Sequence, residues 1–86
     1  MLYKLSTHAR QEAARRGISL QMIDSVMQAP QQIVPEHTGR KAYQSQVDFG
    51  RGRILLLRAI VADDVSPAVV ITVYRTSKVA KYWAGP

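Results

Sequence analysis

The hydrophobic pattern changes its period at Pro30, and this change constrains the fold more than any other feature of the chain. Before Pro30, apolar residues recur at helical spacing, as Leu20, Ile23 and Met27 do. After it, apolar and polar residues loosely alternate, which is typical of strands with one wet face. Helices followed by strands predict an α+β domain with both helices packed on one face of the sheet.

The first helix is predicted over Thr7–Arg16, and both of its ends are marked in the sequence. Ser6 or Thr7 can cap the N-terminus by accepting backbone N–H bonds. Gly17 suits the left-handed position that ends a helix. Small residues recur at helical spacing, so this helix can lie close against a flat surface; they are Ala9, Ala13 and Ala14.

A second helix is predicted from a cap at Ser19 to about Gln28, and Pro30 ends it because the residue before a proline avoids helical angles. Four later segments are predicted as strands: Gln31–Pro35, Arg40–Val47, Arg53–Ala62 and Ala68–Tyr74. Turns of hairpin length separate them, so we expect a three- to four-stranded antiparallel sheet whose other face is partly open. Met1–Leu5 is predicted as a brief strand or an ordered lead-in, and Thr76–Trp83 as a short helix or a strand-like tail.

The length of 86 residues predicts a single domain, residues 1–86, with a modest stability margin. The chain has no cysteine, which excludes a disulfide framework and a cysteine-based metal site. No segment approaches the ~20 residues of a membrane helix, and the N-terminus lacks the apolar run of a signal peptide, so we expect a cytoplasmic protein with no membrane partner. The net charge of +6 favours a polyanionic partner, nucleic acid first; the alternatives are an acidic partner protein and a basic surface that only maintains solubility.

The residues that can carry chemistry form a dispersed group, not a strong motif. The sequence holds no phosphate-binding loop, dinucleotide fingerprint, H-E-x-x-H motif or nucleophile elbow. Asp63–Asp64 is interpreted as a turn, and neither a metal nor another cofactor is expected. The catalytic candidates are His8, Arg58, Thr72 and Tyr74, and the nucleic-acid-binding candidates are Arg40, Lys41, Arg75 and Lys78.

This set suits metal-free cleavage of RNA. A base removes the proton of the 2′-hydroxyl, an acid protonates the leaving 5′-oxygen, and cations stabilise the charge on the phosphate. His8 can act as the acid or the base because histidine titrates near neutrality. Arg58 can grip phosphate with two hydrogen bonds, and the hydroxyls of threonine and tyrosine can donate to phosphate oxygens.

Each candidate also has a purely structural interpretation. His8 can orient the first turn of its helix, and Arg58 can extend from the edge of the core to solvent. The threonine and the tyrosine can be ordinary strand residues. Arg40 and Lys41 can form a solvated basic turn, and Tyr82–Trp83 can either stack on bases or pack the tail onto the domain.

Two motifs resemble a small bacterial family of domains of unknown function. The first is Ser6-x-His8–Ala9–Arg10 followed by Arg16–Gly17–Ile18–Ser19 and Pro30, and the second is Thr72-x-Tyr74. That family is similar to the BrnT- and RelE-like toxins of the barnase/EndoU/colicin/RelE group of metal-independent ribonucleases. Ala13 departs from the pattern, which has a basic residue at that position.

The resemblance implies a RelE-like fold, with N-terminal helices on an antiparallel sheet and a polar set on the open sheet face. It implies that His8, Thr72 and Tyr74 occupy the family's polar positions, and only Glu12 or Glu36 offers the carboxylate that some of these nucleases use. It also implies an antitoxin partner or a place in a larger toxin polypeptide. We therefore expect a ribonuclease toxin domain; the alternatives are a non-catalytic RNA- or ribosome-binding module and a domain that forms homodimers through an edge strand.

Overall fold

Two serine caps begin the two long helices in the computed structural model, which describes residues 1–85. Ser6 caps α1 (Thr7–Arg15) and Ser19 caps α2 (Leu20–Gln28), and each hydroxyl accepts the backbone N–H three residues on, at 2.9 and 3.0 Å. Gly17 has φ +65°, the left-handed conformation that separates the two helices. Both predicted helices are confirmed. Among residues 1–85, every helix falls short of the length and apolar character that a bilayer crossing needs.

A single five-stranded sheet carries this pair of helices. Its strands are β1 (Tyr3–Leu5), β2 (Gln32–Pro35), β3 (Lys41–Asp48), β4 (Ile54–Ala62) and β5 (Ala68–Thr76), and a short helix α3 (Val79–Tyr82) follows. The spatial order is β1-β5-β4-β3-β2, with β1 parallel to β5 and the other pairs antiparallel. The α+β class is confirmed. The sheet, however, contains one parallel strand pair and has five strands, where an antiparallel sheet of three to four strands was predicted. A three-residue strand carries too little alternation to predict its distant partner.

The helices pack on one face of the sheet, which we call the helix face. Alternate residues of the central strands point to it, and Leu57 of β4 and Val73 of β5 are both 0% exposed there. They belong to one apolar cluster with Met27 of α2 and with Ala9 and Ala13 of α1. Two residues of the predicted alanine stripe, Ala9 and Ala13, thus let α1 lie close to the sheet, because an alanine side chain keeps the backbones near each other, whereas the third, Ala14, is exposed.

The opposite face, which we call the polar face, is covered over β3 and β4. Residues 77–85, which we call the C-terminal segment, fold back onto it and include α3. Leu56 of β4 lies on this face and is 0% exposed. The expectation of a partly open face is therefore wrong at this position, and the alternative that the tail packs on the domain is confirmed.

Candidate active site

Arg58 lies at the centre of the polar face. It is in the middle of β4, and the strand register places it directly between Gln44 of β3 and Tyr74 of β5. Its side chain is 2% exposed, so its charge is almost completely removed from water. A buried guanidinium group is costly unless its donors are paired, and the groups that pair with it define the site.

Three side chains accept hydrogen bonds from Arg58. Nε donates to Oε1 of Gln44 (2.8 Å), Nη1 donates to the hydroxyl of Tyr74, and Nη2 lies 3.4 Å from Oε1 of Glu36. Arginine has five N–H donors, so one N–H on each terminal nitrogen has no hydrogen-bond acceptor within residues 1–85. Glu36 is 27% exposed, and its carboxylate therefore connects the buried cation to solvent.

The ring of Tyr82 in α3 lies over the same guanidinium group. The Cζ atom of Arg58 is 4.3 Å from the centroid of the Tyr82 ring, a distance that gives a favourable cation–π contact. The rings of Tyr74 and Tyr82 meet edge to face, with 6.2 Å between their centroids. Tyr82 thus shields Arg58 from water and fixes α3 to the sheet.

Two glutamines extend this network from the sheet to the C-terminal segment. Nε2 of Gln44 donates to Oε1 of Gln32 (2.8 Å) and to the carbonyl oxygen of Tyr82 (3.1 Å). Gln32 then makes a reciprocal pair with the backbone of Ala84, because its Nε2 donates to the carbonyl oxygen (2.7 Å) and its Oε1 accepts from the N–H (3.0 Å). The segment is therefore held by polar groups of β2, β3 and β4.

Tyr74 keeps a proton that it can donate. Burial raises the pKa of the Tyr74 phenol above its ordinary value, and the hydrogen bond and charge of Arg58 act in the opposite direction without cancelling that effect. Its oxygen accepts from Arg58, so the phenolic O–H stays free to donate elsewhere. A carboxylate, a guanidinium and a phenol in contact offer a base, a phosphate-binding cation and a proton donor.

The structure brings Arg58 and Tyr74 together but places His8 elsewhere. His8 is exposed on α1, and α1 packs on the helix face. Thr72 and Tyr74 alternate with Val73, which faces the helices, so both lie on the polar face. The helix that carries His8 thus packs on one face of the sheet, whereas Thr72 and Tyr74 point to the other, and His8 has no side-chain hydrogen bond to any described residue. Thr72 shares the face of Arg58 without a side-chain hydrogen bond to any described residue.

The candidate nucleic-acid-binding residues divide between the two ends of the sheet. Arg75 and Lys78 lie at the end where β5 finishes and the β3–β4 turn begins, and the Arg75 guanidinium lies 4.8 Å from the centroid of the Phe49 ring in that turn. Arg40 and Lys41 lie at the opposite end, where Nζ of Lys41 is 3.1 Å from Oδ2 of Asp63. They do not form one basic patch.

Arg51 and Arg53 are exposed in the β3–β4 turn and strengthen the basic end that contains Arg75 and Lys78. The amides of Gln32 and Gln44 and the ring of Tyr82 were also missed as members of the site. The sequence did carry a signal for the two amides. They interrupt otherwise apolar strands, and the alternation of side chains places them on the same face as Arg58. The position of Tyr82 depends on the path of the tail, for which the sequence has no local signal.

The comparisons with known proteins identify a family but no function. A family model described as a domain of unknown function (DUF4258) matches residues 5–75. No curated protein matches the chain, and no solved structure matches it. The matched range contains Glu36, Arg58 and Tyr74 and ends before the C-terminal segment. Among residues 1–85, no three histidine or acidic side chains converge as a metal site would require.

Proposed function

Because the chain belongs to the DUF4258 family, whose description assigns no function, we propose its function from the site: a RelE/BrnT-like toxin domain that cleaves RNA without a metal. The observation that supports this is the contact between Glu36, Arg58 and Tyr74 on the sheet face opposite the helices. These groups supply the three functions that metal-free cleavage of RNA needs.

In the proposed reaction, the carboxylate of Glu36 removes the proton of a ribose 2′-hydroxyl. The 2′-oxygen then bonds to the adjacent phosphorus atom, and the bond from phosphorus to the 5′-oxygen breaks. Tyr74 donates its phenolic proton to that leaving oxygen, and solvent returns the proton from Glu36 to Tyr74 after product release. The free N–H groups of Arg58 bind the phosphate oxygens, where negative charge increases in the transition state.

We assign the role of base to Glu36 and give His8 no chemical role, because His8 lies on the helix side of the sheet. Thr72 has no assigned step either. The basic end around Arg75 and Lys78 would bind RNA phosphates, in keeping with the net charge of +6. An acidic antitoxin protein is the partner that this charge and a toxin role favour.

The test is cleavage of a fluorophore-labelled RNA by the purified protein in EDTA, together with growth arrest on expression in bacteria. We expect Glu36→Gln and Tyr74→Phe each to lower the cleavage rate by about 10²–10⁴-fold, the usual contribution of general acid–base catalysis. His8→Ala is the matched control and should cleave like the wild type. Intact RNA with the wild-type protein, or equal cleavage by wild type and Glu36→Gln, would contradict the proposed function.

A non-catalytic RNA-binding module is the second candidate, and the burial of Arg58 beneath Tyr82 favours it. A closed site leaves the exposed cations at the basic end as the groups that contact RNA. In that case, RNA binding falls steeply with salt, Arg51→Ala weakens binding, and no variant differs from the wild type in cleavage because none cleaves.

A further inference from the structure

The C-terminal segment is held on the polar face by hydrogen bonds and by the ring of Tyr82 over Arg58. Its helix α3 has four residues, none of them buried, and its N-terminus at Lys78 has no side-chain cap. Such a short helix is unstable by itself. Its position therefore depends on three groups of the sheet: the guanidinium of Arg58 and the amides of Gln32 and Gln44.

These contacts have the chemistry of base recognition. The guanidinium of Arg58 lies over the ring of Tyr82, with 4.3 Å between Cζ and the ring centroid. The amide of Gln32 pairs with one donor and one acceptor of the same residue, the N–H and C=O of Ala84, at 3.0 and 2.7 Å. Unstacked bases in RNA are bound by arginine planes, and a glutamine amide pairs bidentately with the N6 donor and N7 acceptor of adenine.

We propose that this part of the polar face is an adenine-binding subsite, and that the C-terminal segment occupies it as an internal ligand. Tyr82 takes the place of the base on Arg58, and the backbone of Ala84 takes the place of the base edge on Gln32. The inference rests on the proposed function in one respect, since it takes single-stranded RNA as the ligand. The inference adds two features to that function. Gln32 selects adenine, and in the closed state the C-terminal segment fills the site.

The subsite lies next to the group proposed for cleavage. Arg58 contacts the ring of Tyr82 and the carboxylate of Glu36 with the same guanidinium group. A base that displaced Tyr82 would therefore bring its ribose and phosphate near Glu36 and Tyr74. An occupied subsite lowers the apparent affinity for RNA by the fraction of molecules that are open.

The test measures binding without cleavage. The probe is a fluorescein-labelled 2′-O-methyl oligoadenylate, which has no free 2′-hydroxyl, and its uridylate counterpart is the comparison. The release variant Tyr82→Ala/Ala84→Pro removes the stacked ring and the N–H that Gln32 accepts. Ser77→Ala changes an exposed, neutral residue of the same segment whose side chain makes no hydrogen bond within residues 1–85, and it serves as the matched control.

We expect the release variant to bind oligoadenylate about tenfold or more tightly than the wild type, because the internal ligand no longer competes. Adding Gln32→Leu to the release variant should remove the preference for adenine over uracil. Equal affinity of wild type and release variant, or a preference that survives Gln32→Leu, overturns the inference.

A second measurement uses the wild-type chain. Trp83 is the only tryptophan of the sequence and lies in the C-terminal segment, so its fluorescence reports displacement. Saturating oligoadenylate should increase the quenching of Trp83 by acrylamide, and unchanged quenching at saturation overturns displacement. A release variant that binds adenine tightly but leaves RNA intact disproves the cleavage function and leaves the subsite standing.

Discussion

The two faces of the sheet are closed by opposite means. The helix face is covered by two nine-residue helices, and its contacts are apolar, with Leu57, Val73 and Met27 each at most 1% exposed. The polar face is covered by the C-terminal segment with its four-residue helix, and the contacts around Arg58 are hydrogen bonds and the ring of Tyr82. Residues 57 and 58 are neighbours in β4, yet their side chains enter these two different environments.

The difference separates the part of the molecule that supplies stability from the part that is suited to binding. Burial of apolar side chains contributes roughly 25 cal/mol per Å² and needs no exact geometry. A buried charge such as Arg58 adds little net stability, because desolvation opposes the attraction between the charges. A closed polar network beneath a short helix is therefore expected to open more easily than the apolar core.

The largest effect is expected on the helix face. Leu57→Ala creates a cavity beneath α1 and α2 and should lower the free energy of unfolding by about 2–5 kcal/mol, measured by urea denaturation. Ile54→Ala, in the same strand but 49% exposed, is the control and should cost less than about 1 kcal/mol. A comparable loss at both positions would show that the helix face is not the main source of stability.

The second prediction concerns the polar face. Arg58→Met leaves the Oε1 atom of Gln44, a fully buried residue, without its donor and should lower the free energy of unfolding by about 1–3 kcal/mol. Arg58→Met/Gln44→Leu removes both partners of this hydrogen bond, so its loss of stability should be smaller than the sum of the losses in Arg58→Met and Gln44→Leu. Additive losses in this double-mutant cycle would show that the two side chains are not coupled, and the polar face would then resemble an ordinary core.

Local signals made the helix face predictable. The two serine caps, Gly17 and Pro30 act on residues close to them in sequence, so both helices begin and end within a residue of the predicted positions. The strands also lie within a residue or two of prediction, and β5 continues past Tyr74 to Thr76. The parallel pairing of β1 with β5 was not predictable, because it depends on a contact between the two ends of the chain.

The candidate site was predictable only in part. Alternation in β4 and β5 places Arg58 with Ile60 and Tyr74 with Thr72, but the register that pairs Arg58 with Tyr74 comes from the turn and from an irregularity at Ile60. The sequence alone does not predict where His8 lies relative to Thr72 and Tyr74, because the face on which α1 packs is a property of the whole chain. The coverage of Arg58 by Tyr82 depends on the tail in the same way.

The smallest predicted effect compares an exposed ion network of the helix side with the enclosed one. Hydrogen bonds from Arg15 and Arg16 lower the pKa of Glu12 from 4.5 to about 2. A carboxyl group whose pKa is lowered by folding stabilises the protein above its unfolded pKa, and this contribution is lost as pH falls from about 4.5 to 2. Glu12→Gln should therefore lower the urea midpoint slightly at pH 7, because exposed ion pairs contribute little, and the difference from wild type should shrink as the pH falls toward 2. Glu12→Asp is the control that keeps the charge. A difference between wild type and Glu12→Gln as large at pH 2 as at pH 7 would show that the side chain acts by packing and not through its charge.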